Sequence, residues 1–495
     1  MRELPVSVKR EALAYATFAA VALAVYAPSF SGGFVSDDWI YLQRNEILTL
    51  PLVAALRRIF EAPFFANWAP LHMGFLYLER HLFADAPLGY RIANVLLFAG
   101  CASALRAVMR RCGASSVGAT LAGALLLVHP AAVEAVAWIS QSKTLLALLF
   151  ALLALERWLA ELESPRRARL VAALGFAALS LLAKAGFVLL PAVFAIAWWT
   201  HGGTHRRDVA AVGALGALGL SVALENVKAQ ALEGGVAPWF GGSPAATARI
   251  LPEVLWRYVR LAYLPFDPTH CVQPMAIGRW LDPRVLGPLA GLIAVALVAT
   301  VAVRRERRLG LALAWVVAAL LPVVQLIPMT TVFADRYLTL ALPGFLAPVA
   351  EPLAVWVRRT RWAGAAVGLG LVLLALASGR QAALWAAPER LYAQALAAYP
   401  ESRHAWTGLG AERHREGALD EAAAAYVHAL ALYPEDGHVR HLLARVRLAQ
   451  GRRGEALYDL EESLRLAPLH HDAAWTRQAA VRLRTEGVTP IADGG

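Results

Sequence analysis

Two adjacent carboxylates, Asp37 and Asp38, stand in the stretch Ser31–Asn45, directly after the first apolar segment of this chain and beside Trp39 and Tyr41. Neighbouring anions repel, so each needs water, a cation or a hydrogen-bond donor, and a pair placed just outside a membrane helix invites a functional reading. Other ionisable groups sit at comparable addresses. These are the block from His129-Pro130 through Glu134 and Trp138 to Lys143, then Lys184, then Asp335-Arg336-Tyr337, with Trp68-x-Pro70-Leu71 among them. A charge at the centre of a membrane helix costs roughly 2.5–3.5 kcal/mol on insertion scales, so such groups face a hydrated cavity or each other. Acids, a histidine, lysines and an arginine converging on one side would make a site, whereas single ones would be snorkelling anchors.

The elements that must position them are membrane helices. Of the 495 residues, 58% are hydrophobic and 17% charged, the balance of a polytopic membrane protein. The net charge of +11 comes largely from short arginine clusters between apolar segments, which orient helices and give no reason to expect nucleic acid as a partner. Apolar runs are predicted to span near 12–30, 91–109, 115–129, 143–160, 169–183, 186–200, 209–226, 285–303, 309–328, 338–357 and 362–379, eleven in all. With the N-terminus inside, the clusters Arg110-Arg111, Arg166 to Arg169, Arg206-Arg207, Arg304 to Arg308 and Arg358 to Arg361 all fall on one face. Every candidate chemical residue falls on the other. Cys101, Cys112 and Cys271 lie too far apart to suggest a disulfide framework or a metal motif.

Helical geometry adds one condition. Glu134, Trp138 and Gln141 share a face of a helix opened by Pro130, but Lys143 lies nine residues beyond Glu134 and points the opposite way. If both serve one site, the chain must break near Ile139–Ser140. The long loop 227–284, on the same side, carries Gly234-Gly235, Gly241-Gly242 and an amphipathic stretch, 250–263, in which Arg257 and Arg260 share a face. That stretch is read as an interfacial helix, either a wall or lid over a lipid-entry groove or a fixed surface element. Pro265 to Pro268 turn the chain afterwards.

After Gly379 the composition changes and a repeat appears. Pro400, Pro434 and Pro468 lie 34 residues apart, and Gly417/Gly451, Ala422/Ala456 and Leu430/Leu464 keep the same phase, the spacing of tetratricopeptide (TPR) repeats. Half a repeat, two full repeats and a partial helix from His471 are expected. The organisation is therefore an all-α chain: a membrane domain over 1–380 with a first outer loop at 31–90, a helical solenoid over 381–487, and a flexible tail at 488–495. The solenoid would receive a polypeptide acceptor or a partner protein, or simply cap the membrane domain.

Asp37-Asp38 with Asn45, Trp68-x-Pro70-Leu71, His129-Pro130 with Val133 to Trp138, Ser140 and Lys143, the run Leu179–Lys184, and Ala334 to Tyr337 together resemble the transmembrane, TPR-containing O-mannosyltransferase-like proteins, members of the GT-C class of polyprenol-phosphate-dependent glycosyltransferases. The resemblance runs over almost the whole chain. Arg91 and Phe98 stand where relatives usually have histidines, and Ser142 and Thr144 replace residues common beside Lys143. The resemblance implies a GT-C-like bundle that moves a sugar from a polyprenyl-phosphate carrier in the membrane to an acceptor on the outer face, most simply a protein hydroxyl. Asp37 would be the general base, with Asp38 binding acceptor, sugar or metal, or the two in reversed order. Arg336, Lys143 and Lys184 are then the cations for the carrier phosphate, with Tyr337 beside them and Asp335 paired to a neighbouring cation. Asp38, His129 and Glu134 would form a divalent-cation site for Mn²⁺ or Mg²⁺, or the latter two would hydrogen-bond the sugar or order the loop. Transfer to a lipid or envelope glycan is the alternative within enzymes, and a catalytically silent scaffold the alternative outside them. Composition points to a bacterial inner membrane, with the N-terminus cytoplasmic and the repeats periplasmic.

Overall fold

A computed structural model describes residues 6–201, 205–232, 239–266, 270–272, 275–306, 308–329, 331–468 and 472–492. The expected features at Met1–Pro5, Gly234-Gly235, Asp267-Pro268, Arg307, His471 and the last three residues lie outside them. Among the described residues there is no β-strand, and an isolated bridge joins Phe64 and Asn67. The protein is all-α.

The chain begins with α1 (Val6–Tyr26) and then enters the first loop, which carries α2 (Leu52–Glu61) and α3 (Pro70–Phe83). Next come α4 (Pro87–Arg111), α5 (Ser116–Leu127), α6 (Val133–Ala137), α7 (Ser142–Glu163), α8 (Arg167–Ala183), α9 (Leu190–Thr200) and α10 (Arg206–Leu232). After α11 (Pro244–Tyr263) follow α12 (Pro283–Arg305), α13 (Arg308–Leu320), α14 (Asp335–Arg359) and α15 (Ala363–Leu384). Prolines open α3, α4, α11 and α12, where the missing N–H would have no helical partner anyway. Small residues let neighbours approach closely: α7 and α8 meet along Ala151, Ala154, Ala173 and Ala177, fixed by Ser180 Oγ donating to the Ala147 carbonyl at 2.8 Å.

Each of the eleven expected spans coincides with a helix, but among the described residues six helices are long and apolar enough to cross a membrane, or seven if a bent pair is one span. The differences have local causes. His129-Pro130 ends the third expected span, whose helix α5 has 12 residues, and the following segment Pro130–Ala137 meets α5 at 55°. Charges on α7 interrupt its apolar run, α8 has 17 residues, and the apolar helices Ala185–Thr200 and Leu309–Val323 are shorter still. With these apolar helices the chain is an integral membrane protein.

The basic clusters do gather at one end of the bundle. Arg111 pairs with Glu156 at 2.9 Å and Glu163 at 2.7 Å, and Arg207 with Glu161 at 2.6 Å, while Glu161 also accepts from the Arg166 amide. Glu351 accepts from the amide and hydroxyl of Ser115 and pairs with Arg358. Glu306 and Arg359 line a common cavity with Cys112 and Gly113.

Beyond α15 lie α16 (Pro388–Ala398) and the hairpins α17 (Arg403–Arg415) with α18 (Leu419–Leu432) and α19 (Gly437–Ala449) with α20 (Arg453–Leu466), closed by α21 (Ala473–Thr485). Both hairpin turns place a glycine, Gly417 and Gly451, at φ of 79° and 78°, a region L side chains rarely enter. That explains a glycine recurring after 34 residues. Ser402 and Asp436 cap the first helix of each pair. The hairpins pack back on the membrane part: Ser402 Oγ donates to the Cys271 carbonyl at 2.7 Å, and the Arg415 guanidinium lies 5.0 Å from the Trp39 ring.

Candidate active site

The first loop leaves α1 through Gly32 and Gly33, whose carbonyls accept from the guanidinium of Arg91 on α4. Gly32 has no room for a side chain, since a Cβ there would stand 2.6 Å from Ala386 Cα and 2.8 Å from the Trp385 carbonyl. Arg91 thus clamps the loop against the end of α15. Asp38 is fully buried and finishes the work: its carboxylate accepts from the Val35 amide at 3.0 Å, the Ser140 amide at 2.8 Å and the Ser140 hydroxyl. Burial raises its pKa to about 6, opposed by the bonds from Ser140 and Val35 and by the charge of Arg91. Asp38 is turned inward as the tie between loop and bundle.

That tie leaves Asp37 half-buried and on the open side, where among the described residues its carboxylate accepts only from Ser36 Oγ at 3.3 Å. It lies within electrostatic reach of Lys143 and Arg336. The chain breaks where geometry demanded: α6 ends at Ala137, a short 3-10 turn covers Ile139–Gln141, and α7 starts at Ser142. Asn94 on α4 holds the break open by donating to the carbonyls of Trp138 and Ile139 at 3.2 and 3.3 Å. Glu134 and Lys143 can therefore face the same cluster.

The cations divide into two kinds. Arg336, near the start of α14, donates its backbone amide to Glu134 at 3.0 Å and its guanidinium to the same carboxylate at 2.5 Å, and stacks 5.4 Å from Trp138 and 5.1 Å from Tyr337. His270, from the loop before α12, also reaches Glu134, at 3.4 Å. Glu134 is thus a partner of Arg336, and Asp335 is buried at the first position of α14. Lys143 and Lys184 are different. Lys143 Nζ donates to Tyr41 Oη at 3.3 Å and Lys184 Nζ to Thr144 Oγ1 at 2.8 Å, and Thr144 in turn donates to Gln141. Among the described residues neither lysine has a carboxylate within salt-bridge distance.

The expected cation site is not assembled. His129 caps the turn at Pro130, with Nδ1 accepting from the Ala131 amide at 3.2 Å, so Nε2 carries the proton and donates to the Ala262 carbonyl at 3.2 Å. Both nitrogens are engaged. With Asp38 tied to Ser140 and Glu134 to Arg336, the three proposed ligands point to three different partners. Among the described residues no group of three or more His, Cys, Asp or Glu could hold a metal ion.

One residue escaped the sequence reading. His72 follows Trp68-x-Pro70-Leu71 on the first turn of α3, is fully buried, and has no hydrogen-bond partner among the described residues on either ring nitrogen. Its ring lies 5.3 Å from Tyr41, and burial together with the charges of Lys143 and Lys184 pushes its pKa well below the usual histidine value. The imidazole stays neutral and adds no third positive charge beside the two lysines. Its signal was present in the motif it adjoins.

No protein-family model matches the chain. Over 126 residues it is 33% identical to the protein O-mannosyl-transferase Tmtc1 of Drosophila melanogaster; that stretch is 24% of this chain and 15% of the relative. The solved structure of ArnT from Cupriavidus metallidurans bound to undecaprenyl phosphate aligns over 96% of this chain and 89% of its own, at 16% identity and a TM-score of 0.41.

Proposed function

We propose that this chain is a membrane glycosyltransferase of the GT-C class, taking a sugar from a polyprenyl-phosphate carrier and placing it on an acceptor hydroxyl, most simply of a polypeptide. The observation that carries this reading is the pair of lysines without carboxylate partners, Lys143 and Lys184, set beside Arg336 and facing the half-buried carboxylate of Asp37. Sheltered lysines with no carboxylate at salt-bridge distance make a place for an anion, and a phosphate fits three cations of which one is a guanidinium fork. The similarity to Tmtc1 supports the same class.

In the proposed reaction Asp37 accepts the proton of the acceptor hydroxyl as its oxygen attacks the anomeric carbon. The bond from that carbon to the phosphate oxygen breaks, and its electron pair leaves with the lipid phosphate, whose charge Lys143, Lys184 and Arg336 neutralise. Glu134 and His270 fix the orientation of Arg336, and Tyr337 flanks its guanidinium. The site faces away from the basic clusters, so the positive-inside tendency puts it on the outer side, with the hairpins above it as a TPR module that presents the acceptor. We place it in a bacterial inner membrane with the module in the periplasm.

The test is transfer of a labelled sugar from a short polyprenyl-phosphate donor by purified protein. Asp37→Asn should lower turnover by about 10²–10⁴-fold with carrier binding retained, as expected for loss of a general base. Wild-type protein that binds no polyprenyl phosphate and transfers nothing, while its hairpins capture envelope proteins, would establish the scaffold instead.

A further inference from the structure

We propose that a cavity of about 670 Å³ at the basic end of the bundle binds one hydrocarbon chain of an anionic, phosphate-headed lipid from the leaflet on that side. The cavity lies between α4 and α7 on one hand and α13 and α14 on the other, lined by Val108, Leu152 and Leu155 from the first pair and Trp315, Gly344 and Ala347 from the second. Its origin is a mismatch of side-chain volume. At Gly344 the two helices touch so closely that a Cβ would stand 2.6 Å from the Ala312 carbonyl, and below that contact Ala347 and the prolines of α14 offer little to fill the space. Trp315 cannot swing in, because its indole N–H donates to the Leu340 carbonyl at 2.8 Å.

Protein interiors leave few voids larger than a water molecule, and an apolar void does not hold water. At the depth of membrane helices the available filler is a hydrocarbon chain. The mouth argues for the headgroup. Arg359 and Thr360 stand there, next to Arg358 and Arg361, with Glu306 and Glu351 as the acids of the rim. Glu351 is already engaged by Ser115, at 2.9 Å from both amide and hydroxyl, and by Arg358 at 3.3 Å. Arg359 has no carboxylate within salt-bridge distance among the described residues, and Arg361 packs 4.8 Å from the ring of Trp362 at the same level. Basic residues at the membrane surface attract anionic headgroups, and tryptophan anchors that level. On α14 the lining starts seven residues after Arg336, about 10 Å along the axis, and runs away from it. The site is separate from the proposed carrier-phosphate site and does not rest on the proposed reaction.

The experiment uses the full chain in detergent micelles with a phosphatidylglycerol that carries a diazirine at the end of one acyl chain. Irradiation followed by peptide mapping should label Val108, Leu152 and Ala347 severalfold more than Leu297 and Val298, which are exposed on α12 and report the surrounding lipid. Ala347→Trp should remove the labels on Val108 and Leu152 and leave those on α12. Arg359→Gln, an exposed change that does not threaten the fold, should reduce the advantage of unlabelled phosphatidylglycerol over phosphatidylcholine as a competitor. Equal labelling of cavity and α12 would overturn the proposal. So would competition by polyprenyl phosphate alone, which would make the cavity part of the donor path.

Discussion

The two ends of the helix bundle both concentrate charge, and three arginines at one end are treated in the opposite way from two lysines at the other. At the basic end Arg111, Arg207 and Arg358 each meet a glutamate, and the most buried of these acids, Glu161, also accepts a backbone amide. At the other end Lys143 and Lys184 meet hydroxyls and tyrosine rings and, among the described residues, no carboxylate at salt-bridge distance, and the buried imidazole beside them is held neutral by burial and by their charge. Removing an ion from water costs several kcal/mol, which a fold recovers through a partner of opposite sign or leaves to a ligand. Compensated charge holds the structure together. Uncompensated charge marks where something else binds.

The largest effect expected from this contrast is at Arg336, which belongs to both kinds. Arg336→Lys keeps the positive charge but loses the fork that spans Glu134 and the proposed phosphate. Losing charge-assisted hydrogen bonds of roughly 1.5–3 kcal/mol predicts a fall in transfer of up to about a hundredfold. Carrier affinity measured alongside turnover assigns the loss. If both are unchanged, Arg336 is a structural ion pair like those at the basic end.

A smaller effect should follow from converting one kind of end into the other. His72→Glu places a carboxylate within the fields of Lys143 and Lys184 and supplies the counter-ion that the fold withholds. We expect carrier affinity to fall by roughly tenfold, about 1.4 kcal/mol, while the melting temperature holds or rises. A stable variant that still binds the carrier as well as wild type would remove the lysines from the phosphate site.

The third prediction concerns Asp38. Its folded pKa, about 6, exceeds the ordinary aspartate value, so the folded state binds its proton more tightly than the unfolded chain does. The associated stability is complete below the unfolded pKa near 4 and is lost as pH rises through about 6. Unfolding followed between pH 4 and 7 should show that decline, and Asp38→Asn should flatten it. A curve of the same slope in both proteins would assign the dependence to other groups.

How much of this was legible follows from range. The acidic pair, the break before Ser142, the alternating placement of arginine clusters and the 34-residue phase are local patterns, and each depends on spacing that a chain carries in itself. The partners of Asp38 and Glu134 lie 102 and 202 residues away, and nothing local tells an inward carboxylate from its outward neighbour. Arg91 illustrates the same limit: a departure from relatives by composition, it turns out to clamp the loop that carries Asp37. His72 was hidden for a plainer reason, since a lone histidine on a helix reads as core until two lysines are found beside it.

The smallest effect expected is at the compensated end, and it tests the contrast from the other side. Arg358 is about half exposed, and its bond to Glu351 is 3.3 Å long. Glu351 would keep both bonds from Ser115 if Arg358 were lost, so no buried acceptor would be left bare. Exposed pairs of this kind contribute little, and Arg358→Gln should shift the melting temperature by about a degree or less with transfer unchanged. Ser115→Ala, which removes the cap of α5 and one bond to Glu351 together, should cost clearly more. If the ranking reversed, the glutamates of the basic end would depend on their arginines for more than solvation. Paired charge there could no longer be set against the unpaired lysines across the membrane.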